Sequence, residues 1–258
     1  MRLKLTLAYE GTAYAGWQMQ AGDKKDLPTI QGKVEYAFRR LAGKRIMVQG
    51  AGRTDAGVHA EGQVCHADVE EAGTRIDWKG ALNAWLPPDI RILNCVSVPA
   101  DFHARASAKA KHYVYSLWMH KDRPLPRLKN FVAHCPPLDL ELLATALPLL
   151  CGQHDFASFQ NSGSNLAHTL RELYSIELKP GFVSGLRCPE DWPVISLLYT
   201  GNGFLKQMAR NLSGLLIQIG LGKIPADAVP GILAARDRRA LPSPCAPARG
   251  LTLLEVIY

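Results

Sequence analysis

Strand-like and helix-like segments alternate irregularly along this 258-residue chain, and a helix does not follow every strand. The first hundred residues predict strand, helix, two strands around a loop, helix and strand. The second half begins and ends with a strand. A doubly wound parallel sheet would need a helix after each strand, so mixed or antiparallel sheets with flanking helices fit better. The sequence therefore predicts an α+β fold with two lobes, residues 1–105 and 106–258, that meet at a central cleft.

Two helices are predicted with particular detail. In "TIQGKVEYAFRRLAG", Thr29 is placed to cap the helix N-terminus and Gly43 to end it, and apolar residues recur with a period of 3.6. In "FLKQMARNLSGLLIQIG" the apolar residues form one stripe and Arg210 lies on another face, beside small residues. A shorter helix in "DWKGALNAWLPPDI" is expected to stop before Pro87 and Pro88.

Composition narrows the classes of protein to which the chain can belong. The sequence has no apolar run near the roughly 18 residues of a membrane span, and it opens on an alternating strand pattern without a secretory h-region. Its six cysteines are scattered with no C-x-x-C pair, which predicts reduced thiols and a cytoplasmic protein. The net charge of +7 favours an anionic partner, of which nucleic acid is the commonest. A basic enzyme with a different substrate is equally compatible with the charge.

Standard cofactor and metal motifs are missing from the sequence. "GNGFLKQ" resembles the start of a dinucleotide fingerprint, but Lys206 occupies the position of the third glycine. His59, Cys65 and His66 form the nearest approach to a ligand cluster, and their spacing fits no common metal site. We therefore expect neither a cofactor nor a metal.

The stretch "GAGRTDAGVH" is the most unusual segment, because Arg53 and Asp55 lie among glycines with no helical or strand period. Glycines permit close approach of a partner's phosphate or ribose, and arginine is suited to phosphate contact. Asp55 would then be a carboxylate able to act as a nucleophile or base. The alternative is an ordinary Asx-type turn, in which Asp55 bonds only to the backbone.

Two further features support a nucleic-acid site only in combination with the first. In "AKAKHYVYS" a period of two places Lys109, Lys111, Tyr113 and Tyr115 on one strand face, a pairing of cations and aromatics that suits an unstacked base. A half-buried strand with lysines at its edge explains the same pattern. Arg210 is able to hold a carboxylate with two hydrogen bonds, although a solvated arginine is the commoner outcome.

Motifs along nearly the whole chain resemble the TruA-type tRNA pseudouridine synthases. They are "YEGTAYAGWQMQ", "TIQGKVEYAF", "AGRTDAGVHAEGQV", "LPPDI", "DFHARASAKAKHYVY", "DFASF", "GNGFLKQMARNLSG" and "APARGLTLLEV". The resemblance implies the pseudouridine synthase fold and an isomerase that converts uridine to pseudouridine at positions 38, 39 and 40 of the tRNA anticodon arm. It also implies a homodimer that binds tRNA without a cofactor.

The resemblance assigns a role to five residues. Asp55 is the expected nucleophile and Arg210 the arginine that pairs with it. Tyr113 is expected to stack on the flipped base, Leu251 to lie beneath that base, and Arg53 to assist flipping. Three chemical routes remain open, since Asp55 is able to add to C6 of the base, to attack C1′ of the sugar, or to assist formation of a glycal.

The sequence departs from the family pattern in two loops. Residues 166–171 keep Arg171 but lack the preceding basic residue and proline, which leaves the RNA contacts of this loop in question. An insertion around residues 22–28 adds two lysines near Trp17, which are candidates for phosphate contacts.

Three other functions are compatible with parts of the pattern. They are a non-catalytic tRNA-binding protein, a related enzyme with another RNA target, and an aspartate-dependent hydrolase of small molecules. A binding protein needs no nucleophile, so the joint presence of Asp55, Tyr113 and Arg210 counts against the first.

Overall fold

The chain forms two compact units in a computed structural model that describes residues 1–20, 27–70, 76–161, 168–184, 186–189 and 191–258. Unit 1 comprises Met1–Lys109 and Leu253–Tyr258, and unit 2 comprises Ala110–Thr252. The prediction of separate lobes at residues 1–105 and 106–258, with a cleft between them, stays a prediction.

Unit 1 is an antiparallel sheet with two helices. Strand β1 lies between β3 and β4 and is antiparallel to both, and β2 pairs with β3. Alternate residues of β1 are buried, as its sequence pattern predicts. The elements before the crossing into unit 2 are β1 (Arg2–Tyr9), α1 (Ile30–Ala42), β2 (Val48–Gly50), β3 (His59–Asp68), α2 (Trp78–Trp85) and β4 (Ile90–Val98).

Helix α1 has the ends that its sequence predicts. The Thr29 hydroxyl accepts a hydrogen bond from the backbone N–H of Gly32, and Gly43 follows the helix with a left-handed φ of 70°. The predicted apolar face is buried except at the half-buried Leu41, and it packs on α2, where the ring centroids of Phe38 and Trp78 lie 5.6 Å apart. Helix α2 ends at Trp85, so the predicted stop before the two prolines is also confirmed.

In unit 2, strands β5, β11, β8 and β7 are consecutive antiparallel neighbours, and the short β6 runs parallel to β5. The final strand begins in unit 2 and ends in unit 1, where it neighbours β3. The remaining elements are β5 (Ala110–Met119), β6 (Ala133–Cys135), α3 (Leu140–Leu150), β7 (Gly152–Asp155), β8 (Leu170–Pro180), β9 (Phe182–Val183), β10 (Leu186–Arg187), β11 (Val194–Gly201), α4 (Met208–Gly220), α5 (Ala228–Ala235) and β12 (Leu251–Ile257).

Helix α4 differs from its prediction in two respects. It begins at Met208 instead of near Phe204, because Gln207 takes a left-handed conformation with φ 61° just before the first turn. It is also buried well beyond the predicted apolar stripe, since Asn211, Ser213 and Gly214 are buried as well. The helix therefore crosses the interior of unit 2 with little solvent-facing surface.

The predicted α+β class is confirmed, because each unit combines helices with a largely antiparallel sheet. Within the described ranges, no helix is both long enough and apolar enough to span a bilayer.

Candidate active site

Asp55 lies in the loop between β2 and β3, where the backbone makes a tight turn. The backbone N–H of Val58 donates to the carbonyl oxygen of Asp55 at 3.1 Å, and Gly57 has a φ of 79° that a residue with a side chain rarely adopts. The Asp55 side chain is half-buried, whereas that of Arg53 is exposed. The loop therefore presents an arginine and a carboxylate on a constrained backbone.

A second loop, between β1 and α1, fixes this backbone from the side. The N–H of Trp17 donates to the carbonyl oxygen of Thr54 at 3.0 Å, and the N–H of Gly57 donates to that of Tyr14 at 3.4 Å. A Cβ at Gly16 would lie 2.5 Å from the Thr54 oxygen. The two backbones are thus close enough that a side chain at position 16 would push them apart.

Three buried polar side chains lie beneath the Asp55 loop. The hydroxyls of Tyr9 and Thr54 are hydrogen-bonded at 2.8 Å, and the side-chain amide of Gln63 donates to the carbonyl oxygen of Gly52 at 3.0 Å. Sequence reasoning did not single out these residues. For Tyr9 the alternation of β1 turns the side chain inward and was an available signal. Thr54 lies in a loop and β3 is buried on both faces around Gln63, so no such pattern marks these two residues.

Tyr113 lies on β5 in unit 2, opposite Tyr199 of β11. Its ring is mostly buried and meets the ring of Phe204 edge-on, with the centroids 4.9 Å apart. Edge-to-face contacts of this kind stabilise one ring orientation. Phe204 therefore limits how far the Tyr113 ring can turn, a contact that the sequence pattern did not indicate.

Arg210 is held in the first turn of α4 by the segment Ser243–Pro247, here called the strap. The Arg210 Nε donates to the carbonyl oxygen of Ala246 at 2.8 Å, and the Ala246 N–H donates back to the Arg210 carbonyl oxygen at 3.2 Å. One turn later, a Cβ at Gly214 would lie only 2.1 Å from the carbonyl oxygen of Pro244. The small face predicted beside Arg210 is thus occupied by a closely packed segment.

The strap continues into the segment that carries Leu251. The hydroxyl of Tyr115 donates to the carbonyl oxygen of Pro247 at 2.9 Å, and a Cβ at Gly250 would lie 2.8 Å from the Tyr115 ring. Burial raises the pKa of Tyr115, a shift that the Arg210 guanidinium opposes, so the phenol stays a donor at neutral pH. Leu251 itself is buried at the start of β12.

The five predicted site residues are thus divided between the units. Asp55 and Arg53 belong to unit 1, and Tyr113, Arg210 and Leu251 belong to unit 2. Within unit 2 the strap links Arg210 to the Tyr115 side of β5, two residues from Tyr113. The prediction that all five form one site, with the roles given above, stays a prediction.

The histidines of the weak ligand cluster accept hydrogen bonds from the backbone. His59 Nδ1 accepts the N–H of Gly11 at 3.1 Å, and His66 Nδ1 accepts that of Ala104 at 3.2 Å. Burial raises the pKa of the Cys65 thiol, which disfavours the thiolate that a metal would need. In the part of the chain that the structure describes, no three His, Cys, Asp or Glu side chains are grouped so as to hold a metal ion.

The two departures from the family pattern fall mainly outside the described residues. Residues 22–26 of the insertion and residues 166 and 167 of the other loop are not among them. Arg171 is described at the start of β8, where its Nη1 donates to the carbonyl oxygen of Leu170. The predicted RNA contacts of both loops stay predictions.

Comparison with known proteins identifies the family. A family model described as tRNA pseudouridine synthase matches residues 6–105 and 146–258, which include Asp55, Arg210 and Leu251. The chain belongs to the tRNA pseudouridine synthase family. These enzymes are isomerases that act on uridines of tRNA. Tyr113 lies between the two matched blocks, so its role stays a prediction from the motif resemblance.

Individual relatives of this pseudouridine synthase align with its entire length. A protein of Oleidesulfovibrio alaskensis named tRNA pseudouridine synthase A is 46% identical over 273 residues, covering 100% of this chain and 96% of its own. A protein of Lawsonia intracellularis with the same name is 45% identical, covering 100% and 99%. One of Geobacillus kaustophilus, also so named, is 41% identical, covering 100% and 94%.

Proposed function

We propose that this chain converts uridine to pseudouridine in the anticodon stem-loop of tRNA, at positions 38, 39 and 40. The similarity to enzymes named tRNA pseudouridine synthase A over the whole chain carries the proposal. The net charge of +7 agrees with a polyanionic substrate. We place the activity in the cytoplasm, in keeping with the bacterial relatives.

Asp55 is the proposed nucleophile, and its chemistry depends on remaining ionised. Burying a carboxylate without a partner raises its pKa and removes the charge that attack requires. Arg210 is proposed to supply the opposite charge, because a guanidinium within a few ångströms favours the carboxylate form. The anchoring of Arg210 by Ala246 supports this role, since the hydrogen bond from Nε fixes the position of the guanidinium.

The target base must leave its stack before its glycosidic bond is accessible, at a cost of a few kcal/mol. We propose that Arg53 offsets this cost through contact with the RNA backbone, in agreement with its exposure. Tyr113 would stack on the extruded base and Leu251 would close the other side. The contact of Phe204 with Tyr113 supports a fixed stacking surface.

The reaction rearranges one nucleotide without any external reactant. Asp55 bonds to C1′ of the sugar or C6 of the base, and the bond between N1 and C1′ breaks. The uracil turns within the pocket and C5 bonds to C1′, while the bond to Asp55 breaks and restores its carboxylate. C5 then loses its proton, and N1 ends with one. Tyr113 is the proposed group that assists removal of the C5 proton, because its hydroxyl can accept a hydrogen bond at that stage.

The decisive experiment is Asp55→Asn, measured by tritium release from tRNA labelled at C5 of uridine. We expect product formation to fall below detection while the Kd for tRNA changes by no more than about twofold, because the amide keeps the shape of the side chain but is not a nucleophile. Asp101→Asn, at an exposed position of the same unit, serves as the control and should release tritium normally.

Two other outcomes would contradict different parts of the proposed function. Measurable turnover by Asp55→Asn would refute the nucleophile assignment. A wild-type protein that binds tRNA but releases no tritium would instead be a binding protein.

A further inference from the structure

The loop that carries Asp55 rests on polar side chains that are almost fully buried in unit 1. Tyr9, Thr54 and Gln63 expose only 5%, 6% and 0% of their surface. A buried polar group is costly unless it is hydrogen-bonded, so such groups are usually fixed in place by their partners. These three come from the end of β1, the Asp55 loop and β3, respectively.

Their hydrogen bonds converge on the residues just before Asp55. The Tyr9 and Thr54 hydroxyls are 2.8 Å apart, and the Gln63 Nε2 lies 3.0 Å from the Gly52 carbonyl oxygen and 3.5 Å from the Tyr9 hydroxyl. The Gln63 Oε1 accepts the backbone N–H of Val64, which sets the orientation of the amide. Strands β1 and β3 are paired antiparallel, so both supports belong to one rigid sheet.

The backbone on either side of Asp55 is also fixed. The carbonyl oxygen of Thr54 accepts the N–H of Trp17, and the carbonyl oxygen of Asp55 accepts the N–H of Val58. The Thr54 side chain is the third constraint, since it ties the same residue to Tyr9 below the loop. The direction in which the Asp55 carboxylate leaves the backbone therefore depends on the position of Thr54.

We propose that Tyr9, Thr54 and Gln63 are positioning residues that hold the Asp55 carboxylate in the orientation required for attack. The inference rests on the proposed function, in which Asp55 is the nucleophile. An attacking atom displaced by about 1 Å is able to lose about a hundredfold in rate. The three side chains act through the loop and do not touch the substrate.

The first test removes the hydroxyl groups one at a time. Tyr9→Phe and Thr54→Val keep the size of each side chain but break the bond between them. We expect the single-turnover rate constant to fall by about ten- to a hundredfold in each variant, with the Kd for tRNA within about twofold of the wild-type value. Thr54→Ser keeps the hydroxyl and should retain most of the rate.

Tyr199→Phe is the matched control, because the Tyr199 hydroxyl makes an equally buried bond of 2.8 Å to the Ser213 hydroxyl in unit 2. Both Tyr→Phe variants should lower Tm by similar amounts. Only Tyr9→Phe should lower the rate constant, measured at a temperature where all variants are folded. A purely structural role for Tyr9 would make the two variants equivalent in both measurements.

The double variant Tyr9→Phe/Thr54→Val gives an independent measurement. If the two hydroxyls act as one support, the double variant should be no slower than the slower single variant. The inference is wrong if the rate of the double variant falls by the product of the two single losses, or if Tyr9→Phe has the wild-type rate. If the Asp55→Asn variant is inactive and the Tyr9→Phe variant is fully active, only this inference is refuted. If the Asp55→Asn variant is active, the proposed function is refuted.

Discussion

Arg53, Thr54 and Asp55 are consecutive residues with three different environments. The Arg53 side chain is exposed, that of Thr54 is buried, and that of Asp55 is intermediate. The three residues lie in the loop between β2 and β3, in which Gly57 takes a left-handed φ of 79°. The exposed position suits a residue that meets the RNA backbone, and the intermediate one suits a carboxylate that must be both reachable and desolvated.

Arg53→Gln should weaken tRNA binding and make it less sensitive to salt. Removal of one phosphate contact lowers the slope of log K against log salt concentration by about one. The measurement is the Kd for tRNA across roughly 50 to 200 mM salt. Arg239→Gln is the control, because Arg239 is exposed but paired with Asp237 at 2.7 Å, and its slope should match the wild type. An unchanged slope for Arg53→Gln would exclude a phosphate contact.

Helix α4 illustrates how a single element positions the side chain of Arg210, a proposed site residue. Gly214 lets the strap lie against the helix, and the strap in turn accepts the hydrogen bond from Arg210 one turn earlier. The packing of the helix and the orientation of the guanidinium are therefore coupled. A side chain at residue 214 would therefore disturb both the helix packing and the orientation of the guanidinium.

Gly214→Ala should reduce both activity and stability. The added Cβ meets the backbone oxygen of Pro244 at 2.1 Å, so the strap must move, at a cost of about 1–3 kcal/mol of unfolding free energy. We expect the single-turnover rate constant to fall at least about tenfold, since the Ala246 oxygen moves with the strap. Gly231→Ala in α5 is the control, because no atom lies within 4 Å of its new Cβ and it should be neutral or slightly stabilising. If the Gly214→Ala variant has a lowered Tm but a normal rate constant, the position of the strap does not affect catalysis.

Local signals in the sequence predicted most elements correctly. Thr29 and Gly43 bound α1, and the two prolines follow α2, because caps and breakers act within one turn. The short strand β7 and helix α5 were not predicted. Helix α5 lacks a charged residue to mark a polar face. The four residues of β7 have no strand pattern of their own, and pairing with β8 supplies their structure.

Contacts between distant residues account for what the sequence did not reveal about the site. Tyr9 and Thr54 are 45 residues apart, and Arg210 and Ala246 are 36 apart. No periodicity connects such pairs, so only the folded chain shows which polar groups meet. The assignment of Asp55, Tyr113 and Arg210 came from family resemblance, whereas the residues that support Asp55 and Arg210 came from the structure.

The whole molecule is expected to function as a homodimer, on the basis of the family resemblance. Light scattering of the purified chain should give twice the 28.3 kDa of one copy. Dilution should lower the activity per chain once dimers separate, because the family resemblance leads us to expect that one tRNA contacts both subunits. Full activity at a concentration where the mass is that of a single chain would contradict a requirement for the dimer.

The division of the chain between the units determines the order in which the two units are completed during translation. Unit 1 is interrupted after Lys109 and resumes at Leu253, so all of unit 2 is translated before the first unit is complete. A nascent polypeptide halted before Leu253 lacks the strand segment that packs on Gly62 of β3. The packing there is close, because a Cβ at Gly62 would lie 2.3 Å from the Leu254 carbonyl oxygen. The Asp55-bearing unit therefore cannot complete its sheet during translation until residues 253–258 have been synthesised.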